Sequence, residues 1–219
     1  MIKKLTKIKV NRKKIDSFWK KRTKIKDARI ATHFKYDDTH NYDLKLIDKY
    51  ITPKSKVLDL GCGPCYITNK LIGKARYIKG VDKFGEFLKH CKTGPNFKIE
   101  QSDLLKYKDK NKYDLILLIG VMFCFGDKES EKIYKNCFNL LTKSGTMIIR
   151  QQYVVKKDVI IDKYSQQIGD NYYTYYRFLQ KELKILKSFF KVKVIDVLPK
   201  RLNPWSNTHH YALICKKDD

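Results

Sequence analysis

The stretch Val57-Leu58-Asp59-Leu60-Gly61-Cys62-Gly63-Pro64 decides how the rest of the chain is read. Its first half is a short apolar run with the length of a buried strand, and its second half is a Gly-x-Gly turn. Without a Cβ, Gly61 and Gly63 let backbone N–H groups come close to a polar ligand and tolerate unusual φ values. Working outward, residues 66–72 read as a helix and residues 75–81 as a second strand that ends at Asp82. An acidic residue about 20 positions beyond a glycine turn, at the tip of the next strand, is the arrangement that receives both hydroxyls of a ribose.

The same alternation continues. Helix is predicted over 84–90, strand over 97–101, a strongly apolar strand over 113–119, helix over 128–141 and strand over 146–151 after the Ser144-Gly145 turn. Leu115-Ile116-Leu117-Leu118-Ile119 suits a central strand covered on both faces. Strands alternating with helices imply right-handed βαβ units and a parallel sheet. A less regular, tyrosine-rich stretch follows to about Tyr176, then helix over 179–189 and strands over 192–198 and 210–216, which suggest an antiparallel hairpin at one sheet edge. Residues 1–51 form a basic N-terminal helical arm or lid, with helix predicted across 28–51. Residues 52–219 form one globular unit. The expected class is α/β, with a mostly parallel seven-stranded sheet and an antiparallel C-terminal edge hairpin.

Val-Leu-Asp-Leu-Gly-Cys-Gly resembles the first motif of class I S-adenosylmethionine-dependent methyltransferases, whose fold is Rossmann-like. In that family an acidic residue two positions before the first glycine helps orient the methionine ammonium, and Asp59 fills that place. Nicotinamide-binding loops, as a rule, lack an acid there. Gly80-Val81-Asp82 resembles the second motif and Gln101-Ser102-Asp103-Leu104 the third, whose Asp accepts from the adenine amino group. Leu140-Leu141-Thr142-Lys143-Ser144-Gly145-Thr146 resembles the turn that precedes the fifth strand. The resemblance implies S-adenosylmethionine as cofactor, with Asp59, Gly61, Cys62, Gly63, Asp82, Lys83, Asp103, Leu104 and Gly120 around it. Cys65 stands where the family usually has a third glycine.

Cys62-Gly63-Pro64-Cys65 also looks like the redox motif of thioredoxins, and dithiol chemistry is the alternative from another class. Gly61 rather than Trp precedes it, and Asp82 and Asp103 would then be coincidences. The other cysteines, Cys91, Cys124, Cys137 and Cys215, are scattered. They form no secreted disulfide framework, and no second Cys or His pair at metal-binding spacing is visible, so no metal is expected.

The formal net charge is +25, from 48 Lys and Arg against 23 Asp and Glu. That favours an anionic partner. Yet arginine, the residue suited to bidentate phosphate recognition, occurs only at positions 12, 22, 29, 76, 150, 177 and 201. Lysine enrichment beside abundant Ile, Asn and Tyr is also what AT-rich coding produces. No apolar run approaches the roughly 20 residues of a membrane span, and the basic N-terminus lacks a signal-peptide core, so a cytoplasmic location is expected.

The acceptor is less legible. The residues after the fourth predicted strand are Gly120-Val121-Met122-Phe123, without the Asn/Asp-Pro-Pro-aromatic motif of amino-group nucleobase methylases. His33 is the predicted base, in a segment that folds over the pocket in this family. Trp19, Arg29, Arg150, Gln151 and Arg177 are predicted to meet the acceptor, the three arginines clamping a phosphate or carboxylate. The run from Phe18-Trp19 through Ala31-Thr32-His33-Phe34 is similar to compact methyltransferases of bacterial surface-polysaccharide clusters. This implies O-methylation of a small anionic acceptor such as a sugar, a nucleotide-linked precursor or a phosphorylated group. An RNA-associated protein using the basic arm, with nucleic acid as partner, and a protein N-terminal amine methyltransferase are the alternatives. Oligomeric state is not legible.

Overall fold

The computed structural model describes residues 8–32, 39–203 and 205–217. Nine strands are assigned among them: β1 (Lys56–Leu60), β2 (Tyr77–Asp82), β3 (Phe97–Gln101), β4 (Tyr113–Ile119), β5 (Leu141–Val154), β6 (Val159–Ser165), β7 (Asp170–Tyr176), β8 (Lys191–Asp196) and β9 (Thr208–Lys216). Seven of them form one sheet in the order β3-β2-β1-β4-β5-β9-β8. The first five are parallel, and β9 runs antiparallel to both β5 and β8. This is the Rossmann-like sheet with an antiparallel edge that the alternation predicts. The chain starts at β1, builds outward to β3 and returns on the other side at β4. The crevice at such a switch point is where ligands bind in open α/β sheets.

Period-two alternation divides the central strands between two faces. Val57, Leu115, Leu117 and Ile148 pack on one side with Leu46 and Ile47 of α3 (His40–Ile47). Leu58, Ile116, Leu118 and Ile149 pack on the other with Ile133, Tyr134 and Cys137 of α5 (Asp127–Leu140) and Leu183 and Leu186 of α6 (Leu179–Leu186). Both faces are covered, which is why these strands read as continuous apolar runs.

Three expectations change. The helix predicted over 66–72 is only a 3-10 turn at Thr68–Leu71. Cys65 before it takes φ +59 and Gly73 after it φ +84, so both ends leave the helical region. The helix over 84–90 shrinks to α4 (Gly85–Leu88). The helix over 28–51 is described as α2 (Ala28–Thr32) and α3, with residues 33–38 outside the described residues.

The tyrosine-rich stretch and the N-terminal arm supply further elements. β6 and β7 form a separate antiparallel hairpin. α1 (Arg12–Arg22) is capped by Asn11, whose side chain accepts from Lys14 N–H, and lies against that hairpin, with the Phe18 and Tyr172 rings 5.3 Å apart.

Candidate active site

A cavity of about 210 Å³ opens at the C-terminal ends of the parallel strands, and Asp59, Gly61, Gly63, Asp82, Asp103 and Gly120 all line it. The loop after β1 is held to β2 by Gly61 N–H and Cys62 N–H, which both donate to the Val81 carbonyl at 2.7 and 3.1 Å. Gly61 has φ +78, and a Cβ there would stand 2.8 Å from Val121 Cβ, so a side chain is excluded on two counts. Gly63 has φ +52, and its N–H donates to Asp82 Oδ2 at 2.9 Å. The other Asp82 oxygen accepts from Phe84 N–H at 2.9 Å. One carboxylate thus ties the two loops together at the rim of the cavity.

Burial pushes the Asp59 carboxyl up to about 6, although the Thr68 hydroxyl donates to it and acts in the opposite direction; the Asp82 charge adds to the rise. Asp82 is also raised, again by burial, against the pull of its backbone hydrogen bonds. Asp103 behaves differently. Burial raises it, but the Leu105 N–H, Lys83 and Arg12 together outweigh burial and hold it below the ordinary value. Lys83 Nζ is 3.2 Å from Asp103 and 2.7 Å from Asp16, while Arg12 reaches Asp103 at 3.4 Å. α1 is thereby latched over the Asp103 end of the cavity through Arg12 and Asp16, two residues that sequence reasoning missed. Their i,i+4 spacing on a basic helix was the only signal available.

Part of the cavity wall is aromatic. Trp19 of α1 stacks near Phe123 at 6.5 Å and meets the edge of Phe87 at 6.4 Å. Tyr172 and Tyr176 of the hairpin complete the wall, with Gln151, Gln152, His40 and His210 supplying polar atoms. Gln152 donates to Thr208 Oγ1 at 2.6 Å. Gln151 is 2% exposed, and its Oε1 has no hydrogen-bond partner among the described residues.

The predicted arginine clamp is not assembled. Arg150 lines the cavity, but its guanidinium is buried against Asp43, with Nε donating at 2.6 Å and Nη2 donating to the same carboxylate and to Thr39. Arg177 is 1% exposed and lies away from the cavity. It donates to Asp127, Glu182, Ser130 Oγ and the Phe125 carbonyl. Arg29 is exposed and outside the cavity wall. Buried cations need internal partners, and these found them in the fold. The predicted base, His33, lies outside the described residues.

The alternative reading, a Cys62/Cys65 dithiol, finds no support in the pairing of these cysteines. Cys65 is joined to Cys91 by a disulfide, and Cys62 keeps its thiol. Burial pushes that thiol well above its usual value, and the Asp59 and Asp82 charges add to the effect, which is the reverse of an activated redox cysteine.

A family model described as a methyltransferase domain matches residues 51–197. The chain belongs to the methyltransferase domain family. The enzyme's fold recurs in solved structures of low sequence identity. DhpI in complex with SAH matches at TM-score 0.71 and 17% identity, over 93% of this chain and 96% of that one. Phosphoethanolamine N-methyltransferase 1 of Haemonchus contortus, with phosphoethanolamine and S-adenosylhomocysteine, matches at 0.72 and 18%, over 94% of this chain and 49% of that one. The N-methyltransferase NodS of Bradyrhizobium japonicum, with S-adenosyl-L-homocysteine, matches at 0.67 and 12%, over 93% and 98%. No curated protein matches the sequence. The methyltransferase is S-adenosylmethionine-dependent, and its glycine loop, strand-end carboxylates and cavity fit that donor. No helix among the described residues is long and apolar enough to cross a membrane.

Proposed function

We propose that the enzyme methylates a hydroxyl on a small acceptor seated between Trp19, Phe123, Tyr172 and Gln151. The bound donor supplies an electrophilic methyl group on a sulfonium. In this reading Asp82 holds the ribose hydroxyls, Asp103 the adenine amino group and Asp59 the methionine ammonium, with Gly61, Cys62, Gly63, Lys83, Leu104 and Gly120 around them. In-line methyl transfer asks the protein mainly for orientation, and for a hydroxyl acceptor a base as well. His33 is the proposed base, and His40 and His210, which line the cavity, are the alternatives.

The observation that carries the acceptor reading is Gln151 Oε1. A buried acceptor atom without a partner is costly, and a ligand O–H or N–H would satisfy it. An anionic group on the acceptor keeps its support from the net charge of +25. It does not gain support from the cavity, where Arg12, Lys83 and Arg150 already pair with carboxylates. A surface-polysaccharide precursor therefore rests on the sequence resemblance. A second reading, methylation of an amine, is favoured by one feature. The aromatic wall suits a cation held over ring faces.

Calorimetric titration with S-adenosylhomocysteine and a panel of hydroxyl and amine acceptors test the proposal together. Asp82→Ala should weaken S-adenosylhomocysteine binding at least tenfold. Gln151→Ala should leave that affinity within about twofold and lower acceptor kcat/KM at least tenfold, equivalent to the loss of one buried hydrogen bond. Full turnover in Gln151→Ala overturns the acceptor assignment, and unaltered binding in Asp82→Ala overturns the donor assignment.

A further inference from the structure

Three cysteine sulfurs meet beneath the cofactor loop. Cys62 lies between the two loop glycines, Cys65 opens the following turn, and Cys91 comes just after α4. Cys91 is 26 residues from Cys65 in sequence, so no local spacing announces it. The sheet brings it back, because β2 lies beside β1 and α4 follows β2. The Cys62 and Cys65 sulfurs are 3.8 Å apart, and all three sulfurs lie within 4.8 Å of one another. Gly80 makes room for them. A Cβ at that position would stand 3.0 Å from Cys62 Sγ and 3.6 Å from Cys65 Sγ. Cys65 holds the left-handed φ of +59 where a glycine would be the ordinary choice, and with it presents its sulfur to the other two.

We infer that, in its reduced form, this cluster binds one thiophilic cation of the Zn(II) or Cu(I) class. Thiolates select such ions, and three sulfurs each about 2.3 Å from a shared centre stand about 4 Å from one another. Cys62 and Cys65 already have about that spacing, and reduction of the Cys65–Cys91 bond frees Cys91 to turn to it. Cys62 lines the main cavity, so an exogenous ligand such as water can complete the coordination from that side. The disulfide and the cation exclude each other, since the Cys65–Cys91 bond takes two of the three donors. Reduction by a phosphine and water yields two thiols and the phosphine oxide. Cation binding then sends the three thiol protons to solvent.

The test uses the full chain, reduced anaerobically with a phosphine and freed of it. It is titrated with Zn(II) and, separately, Cu(I) against a chromophoric chelator, and with Co(II) by absorbance. Uptake of one equivalent of Zn(II) or Cu(I), a thiolate-to-Co(II) charge-transfer band, and at least a hundredfold weaker uptake by folded Cys91→Ser are expected. The disulfide form should take up none. Lack of stoichiometric Zn(II) and Cu(I) uptake by the reduced chain overturns the inference, as does equal uptake by the disulfide form or by Cys91→Ser. If Cys91→Ser does not fold, the comparison of reduced and disulfide forms decides alone.

Discussion

At the scale of single residues, Asp59 and Arg177 are two buried charged side chains in different settings, one lining the cavity and the other enclosed by the fold. Asp59 titrates at about 6 because burial disfavours its charge. If its ionised form faces the methionine ammonium, affinity for S-adenosylhomocysteine should be flat above about pH 7. Below about pH 6 it should fall by about tenfold per pH unit. Asp59→Asn should weaken binding at pH 7.5 and abolish that pH dependence, as calorimetry across pH 5–8 would show. The sign for the fold itself is opposite. The folded carboxyl sits above its ordinary value, so its contribution to apo stability is present at low pH and is lost as pH rises through about 6. Arg177 is the contrasting case. It is read from sequence as an acceptor ligand beside Tyr175 and Tyr176, but it is enclosed by Asp127 and Glu182. Arg177→Met strands Glu182 in the core and should cost about 3–5 kcal/mol in denaturant unfolding. The S-adenosylhomocysteine affinity of the folded fraction should be unchanged. A stable variant with a raised acceptor KM would restore Arg177 to the acceptor site.

At the scale of elements, legibility followed the length and purity of the apolar pattern. The predicted ranges 97–101 and 113–119 match β3 and β4 to the residue: β4 carries the uninterrupted apolar run of a buried parallel strand, whereas β3, at the sheet edge, buries only Phe97 and is placed by the alternation of strands and helices around it. Residues 170–176 were not read as a strand. Tyrosine occupies both faces of β7, with Tyr172 and Tyr176 turned to one cluster and Tyr173 and Tyr175 to another, so no period of two appears. The helix predicted over 66–72 is not formed because the loop after β1 holds its backbone out of helical geometry at Cys65. Among site residues, Asp59, Asp82 and Asp103 were legible because motif spacing locates them. Arg12 and Asp16 were not, since only tertiary packing brings α1 to Asp103. That packing also places Trp19 in the cavity wall. Trp19→Ala opens the aromatic wall between α1 and Phe123 and should lower acceptor kcat/KM at least tenfold. The S-adenosylhomocysteine affinity should stay within about threefold, because the ribose and ammonium contacts proposed lie on β1 and β2. A loss confined to cofactor affinity would instead make α1 part of the donor site alone.

At the scale of the whole molecule, the question is where the charge of +25 resides. The cavity carries Asp16, Asp59, Asp82 and Asp103 against Arg12, Lys83, Arg22 and Arg150, and Arg150 is matched by Asp43 just behind the wall. Its charges are balanced locally. The excess must therefore lie on the outer surface, where lysines are mostly exposed and lack a planar fork for reading phosphates. A surface of that kind attracts polyanions through counterion release, without sequence preference and with steep salt dependence. It follows that a single-stranded RNA oligomer should be retained on a filter at about 50 mM salt and released by about 300 mM. S-adenosylhomocysteine should not alter that retention, because the cavity and the outer surface do not share charges. Labelled S-adenosylmethionine should leave the RNA unmethylated. Retention that persists at about 0.5 M salt, or transfer of label to the RNA, would place nucleic acid in the cavity and make the basic arm part of the acceptor site.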